Sequence, residues 1–246
     1  MKKRFALVLA GCLLGSTMAY SAGGAHWAYS GHEGPEQWGV LAPEFAACAA
    51  GKNQSPINLT GLIKADLPAI TFDYATAATD ILNNGHTVQA NFKPGSTISV
   101  DGKTFELKQV HFHSPSENHI NGKSYPMEGH FVHADKDGNL AVVAVMFEEG
   151  AENKGITGLW KQMPDAAGSK LALAATVNGG DLLPKNRDYY RFNGSLTTPP
   201  CSEGVRWLVM KNSVSASKEQ IEHFAHVMHH PNNRPIQSVN ARSVLQ

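Results

Sequence analysis

The sequence has no surplus of charge, no repeat and, past its first residues, no long apolar run. Basic and acidic residues balance at 21 each, so nothing marks a polyanionic partner, and nucleic-acid binding is excluded as its principal role. No later stretch approaches the ~20 apolar residues that a membrane-spanning helix needs. Neither a low-complexity segment nor a linker divides the 246 residues, a length that one all-β domain commonly fills. Cysteine is scarce, at three residues, and helix signals are few.

What is present begins with a leader. Lys2, Lys3 and Arg4 precede the apolar run 5–14, and small residues follow at Thr17 and Ala19. This is the pattern of a secretory signal peptide over residues 1–19, leaving 20–246 as the exported chain. Leu9-Ala10-Gly11-Cys12 also fits a lipoprotein processing site, the alternative in which Cys12 carries a lipid anchor. Loss of the leader leaves Cys48 and Cys201, and in an oxidising compartment such as the periplasm a disulfide between them is expected. That bond closes a loop of roughly 150 residues, for which the chain-entropy relation gives roughly 4–5 kcal/mol, less any strain.

Turn signals recur at short intervals: Asn83-Asn84-Gly85, Lys93-Pro94-Gly95, Asp101-Gly102, Asn121-Gly122, Asp137-Gly138 and Asn193-Gly194. Between them lie strand-like runs over 69–74, 87–92, 97–100, 104–113, 130–134, 140–148 and 205–210. Asp101-Gly102 and Asp137-Gly138 suit hairpin turns, and the unbroken apolar run 140–147 suits a strand buried on both faces. Ser217-Lys218-Glu219-Gln220 forms a capping box for a helix running to Pro231, and a weaker helix is expected over 153–162. The fold class is mainly β (α+β): one large, mostly antiparallel twisted sheet with a few short peripheral helices.

Histidine is the residue in excess, at twelve. Leu107-Lys108-Gln109-Val110-His111-Phe112-His113 alternates as a strand, so His111 and His113 project from one face, near enough to share a metal. Alone, such a pair is more readily two polar residues on a wet sheet face. A second strand, Glu128-Gly129-His130-Phe131-Val132-His133, supplies a third nitrogen at His130 if it pairs nearby. Three histidines leave the fourth tetrahedral position open, as in catalytic zinc sites. His119, in a turn before Asn121-Gly122, and His133, on the face opposite His130, compete for the third place. His130 shares its face with Glu128 and Val132, a carboxylate to orient the ring and an apolar wall beside it. Gln109 can hold the His111 ring in the same way.

Other segments carry chemistry-bearing side chains. Asn83-Asn84-Gly85-His86 places a histidine just after a tight turn, and Ser116-Glu117 adds a carboxylate beyond the His-x-His strand. Leu196-Thr197-Thr198-Pro199-Pro200 is a rigid hydroxyl-bearing loop that the Cys201 disulfide would pin. His223, His226 and His230 fall at i, i+3 and i+7, a solvated helix face whose alternative is a second metal site.

At these residues the sequence resembles the α-class carbonic anhydrases, and within them the compact bacterial periplasmic branch. The matching blocks are His26-Trp27-x-Tyr29, Asn53-Gln54-Ser55-Pro56-Ile57, Asn83-Asn84-Gly85-His86, Gln109-x-His111-Phe112-His113, Ser116-Glu117, Glu128-x-His130-x-Val132-His133, Gly194-Ser195-Leu196-Thr197-Thr198-Pro199-Pro200-Cys201 and Asn233-Arg234-Pro235. The resemblance implies reversible hydration of carbon dioxide to bicarbonate at Zn2+ bound by His111, His113 and His130. It implies Gln109 and Glu128 behind those ligands, Thr197 with Glu117 orienting the zinc hydroxide, and His86 as proton shuttle. Val132, Val142, Leu196 and Trp207 match the apolar wall that receives carbon dioxide, with Thr198 beside them. Tyr29, Asn84, Gln89 and Thr198 match the polar side that orders water, and Cys48–Cys201 matches the disulfide of secreted members. A homodimer is implied by the branch alone.

Two departures stand out. Ser114-Pro115-Ser116-Glu117 is shorter than the animal equivalent, and Gln89 stands where several relatives carry another polar residue. Two rival readings, a non-catalytic module on the same fold and a zinc-sequestering protein, are separated from an enzyme by activity and by one tight zinc per chain.

Overall fold

The computed structural model describes residues 25–246; the expected leader, Cys12 and Ala19 lie outside the described residues. Along the chain run β1 (Asn58–Leu59), β2 (Thr71–Tyr74), β3 (Ala78–Asn83), β4 (Val88–Phe92), β5 (Ser96–Val100), β6 (Lys103–His113) and β7 (His119–Ile120). They are followed by β8 (Met127–Ala134), β9 (Leu140–Glu149), β10 (Lys170–Ala172), β11 (Tyr189–Ser195), β12 (Glu203–Met210) and β13 (Val214–Ala216). Eleven strands form one sheet whose spine is ordered β10-β3-β4-β6-β8-β9-β12-β11. β5 pairs with β6 and with β2, while β13 pairs with β9. The sheet is mostly antiparallel, as expected, yet β12 and β13 both run parallel to β9.

β9 shows why the sheet lies between two cores. Its alternate residues Val143, Val145 and Phe147 join the larger apolar cluster, and Val142, Ala144 and Met146 join a second. Both faces are covered, so the run carries no polar alternation. The β5–β6 connection is the expected two-residue hairpin: Asp101 and Gly102 both have positive φ, at 53° and 69°. The β8–β9 hairpin has instead a longer loop over 135–139, in which the Asp135 carboxylate accepts from the backbone N–H groups of Asp137 and Asn139.

One turn expectation is corrected. Asn193-Gly194 lies inside β11, and the register shifts at Gly194/Ser195. Gly is needed there for close approach, since a Cβ would fall 2.1 Å from Ser55 Oγ.

Among the described residues four α-helices lie around the sheet: α1 (Trp38–Leu41), α2 (Ala47–Ala50), α3 (Lys154–Trp160) and α4 (Lys218–Met228). Asn153 caps α3 through its side chain. In the α4 capping box the Ser217 hydroxyl accepts from Gln220 N and Gln220 Oε1 accepts from Ser217 N. α4 ends earlier than expected, because His229 turns left-handed at φ 61°. His230 therefore leaves the face of His223 and His226 and approaches Tyr29, ring to ring at 6.2 Å. Among the described residues no helix is long and apolar enough to cross a membrane. Cys48 on α2 is bonded to Cys201, with Cα atoms 5.0 Å apart.

Candidate metal centre

The centre rests on an irregularity in β6. Strict alternation would put Phe105, Leu107, Gln109, His111 and His113 on one face. The β6–β8 register instead shifts between Leu107 and Gln109, leaving Lys108 as an extra residue. Phe105 and Leu107 then share the large core with Val110 and Phe112. Gln109, His111 and His113 are freed for the opposite face. On β8 the direct partner of His111 is His130, while His133 faces Leu107.

The ligand atoms of His111, His113 and His130 lie within 4.8 Å of one another, the one group of three such residues found among the described residues. Each ring is turned by a hydrogen bond from its outer nitrogen. His111 Nδ1 donates to Gln109 Oε1 at 2.8 Å, His113 Nδ1 to the Asn232 carbonyl at 2.6 Å, and His130 Nε2 to Glu128 Oε1 at 2.9 Å. These acceptors fix the tautomers, so two Nε2 atoms and one Nδ1 present lone pairs to a shared point. Burial pushes all three rings below the ordinary histidine pKa, most strongly at His111 and His130, where the neighbouring imidazoles add to it. Neutral imidazole is the ligating form.

The fit to a cation shows in what is left unpaired. His113 Nε2 and Glu117 Oε2 are buried without any hydrogen-bond partner and stand 3.5 Å apart. A buried lone pair with no donor costs stability unless a proton or metal meets it. The donor set, three neutral nitrogens with room for a fourth ligand, suits zinc.

Glu117 and Glu128 are both fully enclosed, but their surroundings differ. Glu128 accepts from the backbone N–H groups of Glu117 and Asn118, from Asn118 Nδ2 and from His130. Glu117 Oε1 accepts from the Arg234 backbone N–H at 2.8 Å, and its other oxygen faces the histidines. Burial lifts the Glu117 carboxyl to about 8, against the Arg234 N–H and the Thr197 hydroxyl, which pull it down. Thr197 thus lies beside this carboxyl, although Oε2 has no partner of full hydrogen-bond geometry.

The Thr197 loop is closed by two backbone bonds, Leu196 N to Ser202 O and Cys201 N to Thr198 O. The apolar side is contiguous. Buried Val142 and Trp207 are register partners, Val132 pairs with Val142, and half-buried Val132 and Leu196 pack on the same cluster. The Trp207 ring stands 4.9 Å from that of His130, and its Nε1 donates to the Ser195 carbonyl.

The polar side is less uniform. Gln89 is the register partner of His111 on β4 and so shares its face. Asn84 uses its side-chain oxygen to accept from the His86 and Thr87 backbone N–H groups, which shapes the turn that carries His86. His86 is stacked flat on Trp27, centroids 3.7 Å apart, with Tyr29 at 6.5 Å. Its pKa is not the ordinary value. Burial lowers it, and the nearby charges of His26 and His230 lower it further. Tyr29 is held neutral by burial and by Glu117.

The family described as eukaryotic-type carbonic anhydrase matches residues 33–246. The chain belongs to it. A carbonic anhydrase of Pectobacterium carotovorum is 47% identical over 244 residues, 99% of this chain and 98% of that protein. The α-carbonic anhydrase of Thermovibrio ammonificans, solved with the inhibitor sulfanilamide, is 52% identical with a TM-score of 0.89, covering 91% of this chain and 100% of its own. That of Photobacterium profundum is 51% identical with a TM-score of 0.86, over 90% and 100% of the two chains.

In this carbonic anhydrase several site residues escape a reading of side-chain patterns. Asn232 acts through its backbone carbonyl, which no residue type announces. Asn118, buried beside Glu117, gives Glu128 two of its donors. Arg234 is buried, donating to Gln54 Oε1 and to the Ser55 and Cys48 carbonyls. The only hint of it was the Asn233-Arg234-Pro235 block. His133 is a core residue, hydrogen-bonded to Tyr74 Oη at 2.8 Å, and His119 lies on β7 outside the group of three.

Proposed function

We propose that the chain catalyses reversible hydration of carbon dioxide, water and carbon dioxide giving bicarbonate and a proton, with zinc held by His111, His113 and His130. The observation that carries this is three neutral imidazole nitrogens aimed at one point beside a dry wall and a buried carboxyl. Zinc(II), when bound, supplies a Lewis acid that brings a coordinated water to a pKa of about 7, an effect for which carbonic anhydrases are themselves the standard case.

The protein's residues do the rest. Gln109, the Asn232 carbonyl and Glu128 hold the rings in their ligating tautomers. Neutral ligands leave the cation's charge undiminished. With zinc bound, its charge would keep Glu117 ionised, and a Thr197 hydroxyl donating to that carboxylate could then only accept from an oxygen at the centre, which would fix how that oxygen faces the substrate. Carbon dioxide, being apolar, rests against Val132, Val142, Leu196 and Trp207, with Thr198 at the edge. Tyr29, Asn84 and Gln89 line the side where water orders, and His86 takes the proton outward.

We also read residues 1–19 as a cleaved leader and 20–246 as the exported enzyme. The Cys48–Cys201 bond supports an oxidising compartment. A homodimer is checked by the mass of the mature protein in solution.

The test is hydration by the purified protein before and after chelation. Activity and one zinc per chain should vanish together and return with zinc. His111→Ala, His113→Ala or His130→Ala should abolish both, whereas His119→Ala should keep both. A His130→Ala protein with full zinc and activity would sink the assignment.

A further inference from the structure

Gln89, beside His111, does not stand alone. Its Nε2 donates to Asn91 Oδ1 at 2.6 Å, and Asn91 Nδ2 donates to Asp80 Oδ1 at 2.5 Å. The Thr79 hydroxyl donates to Asp80 Oδ2 at 2.9 Å, and Lys170 Nζ lies 3.2 Å from Oδ1. Lys170, Asp80, Asn91 and Gln89 thus form a line across the neighbouring strands β10, β3 and β4 that ends next to the metal centre.

This line has a direction. An ionised carboxylate only accepts hydrogen bonds, so the end of Asn91 that meets Asp80 is its NH2 group. The Asn91 carbonyl is left for Gln89, whose amide must offer its own NH2 in turn. The Gln89 carbonyl is the end that remains. Burial raises the Asp80 carboxyl, but bonds from Asn91, Thr79 and Lys170, with the Lys170 charge, hold it below the ordinary value. The carboxylate is therefore ionised at neutral pH and the direction is fixed.

We propose that Asp80 is a positioning residue: through Asn91 it sets the Gln89 amide so that its carbonyl is the group offered to water on the proton's path to His86. This rests on the functional reading above. A water that passes a proton outward keeps a lone pair toward the incoming proton and one O–H toward the next acceptor. Its spare O–H needs an acceptor on the wall. An NH2 there would instead occupy a lone pair and oppose the transfer.

The test compares Asp80→Asn and Gln89→Ala in the zinc-loaded protein at low buffer concentration. Asn at position 80 can donate, so the chain of amides can run either way. Asp80→Asn should lower kcat for hydration about five-fold, the weight of one ordinary hydrogen bond. It should leave kcat/KM and zinc content unchanged. Adding Gln89→Glu to Asp80→Asn restores an acceptor with the chain reversed, and should recover kcat. In the metal-free parent, the side-chain amide signals of Asn91 and Gln89 should titrate together with one carboxyl, and this should be absent in Asp80→Asn. If Gln89→Ala lowers kcat and Asp80→Asn does not, the proposal is overturned. If neither lowers it, Gln89 is not on the path, and the proposal fails with that placement. A parallel fall in kcat, kcat/KM and melting temperature would mark a merely structural role and also overturn it. No hydration by the parent would remove the functional reading itself.

Discussion

His86 shows how much one residue's surroundings bear on the task we propose for it. A group of pKa about 7 cannot shed protons straight to water faster than about 10³ s⁻¹, the product of a diffusion limit near 10¹⁰ M⁻¹s⁻¹ and an acid constant near 10⁻⁷ M. A faster cycle needs a relay, and an unperturbed histidine would serve with almost no driving force lost. This histidine is perturbed: half-buried, stacked on Trp27 and lowered by its surroundings. Taking a proton from a group of pKa about 7 would therefore be uphill for it, and handing that proton to buffer would be downhill. His86→Ala should lower kcat at low buffer by roughly 10-fold or more, within the usual range for a positioned acid–base group. The value of kcat/KM should barely move, and imidazole should rescue kcat. An unchanged kcat at saturating carbon dioxide and low buffer would show that His86 carries no protons.

Among the elements, the strands were largely legible because apolar alternation and turn residues mark them. β6, β8 and β9 came close to their true limits. The strands of two or three residues, β1, β7, β10 and β13, went unread, as did β3, because Ala-Thr-Asp-Ile-Leu-Asn alternates poorly, and β11, because Asn193-Gly194 mimics a turn. The bulge at Lys108 is invisible in sequence, since it exists only as a register against β8. Yet without it one parity would govern all of β6. Deletion of Lys108 should send either the histidines or Phe105 and Leu107 to the wrong face. The purified variant should lose zinc in the first case and melt well below the parent in the second, so a fully loaded Lys108-deleted protein with the parent's melting temperature would contradict the bulge's role. The partner strand holds a second testable residue. Burial lowers His133 from the ordinary 6.5 to about 4, so the unfolded chain binds its proton first as pH falls. The associated stability, about 3 kcal/mol, is complete above pH 6.5 and lost by about pH 4. His133→Gln should flatten the fall in melting temperature across that interval; an unaltered slope would assign the acid sensitivity elsewhere.

For the molecule as a whole, the disulfide and the buried Arg234 join distant stretches of chain around one centre. Cys48 and Cys201 are 153 residues apart, and their bond pins the loop that carries Thr197. Thiol titration of the unfolded, unreduced mature protein should find no free group. Reduction should cost roughly 4–5 kcal/mol of stability and lower activity as the loop loosens. The segment 232–234 has another consequence. Its Asn232 carbonyl orients His113, and its Arg234 N–H holds Glu117, yet both are synthesised after every strand that carries a histidine of the centre. A chain made from its amino end thus carries all three imidazoles before their supports are added. Without those supports the three rings would hold a metal more loosely. A protein cut after His229 should bind zinc about 10–100-fold more weakly than the whole chain, measured by competition with a chelator. The closing segment then behaves as a latch on the metal, set only when translation has passed it.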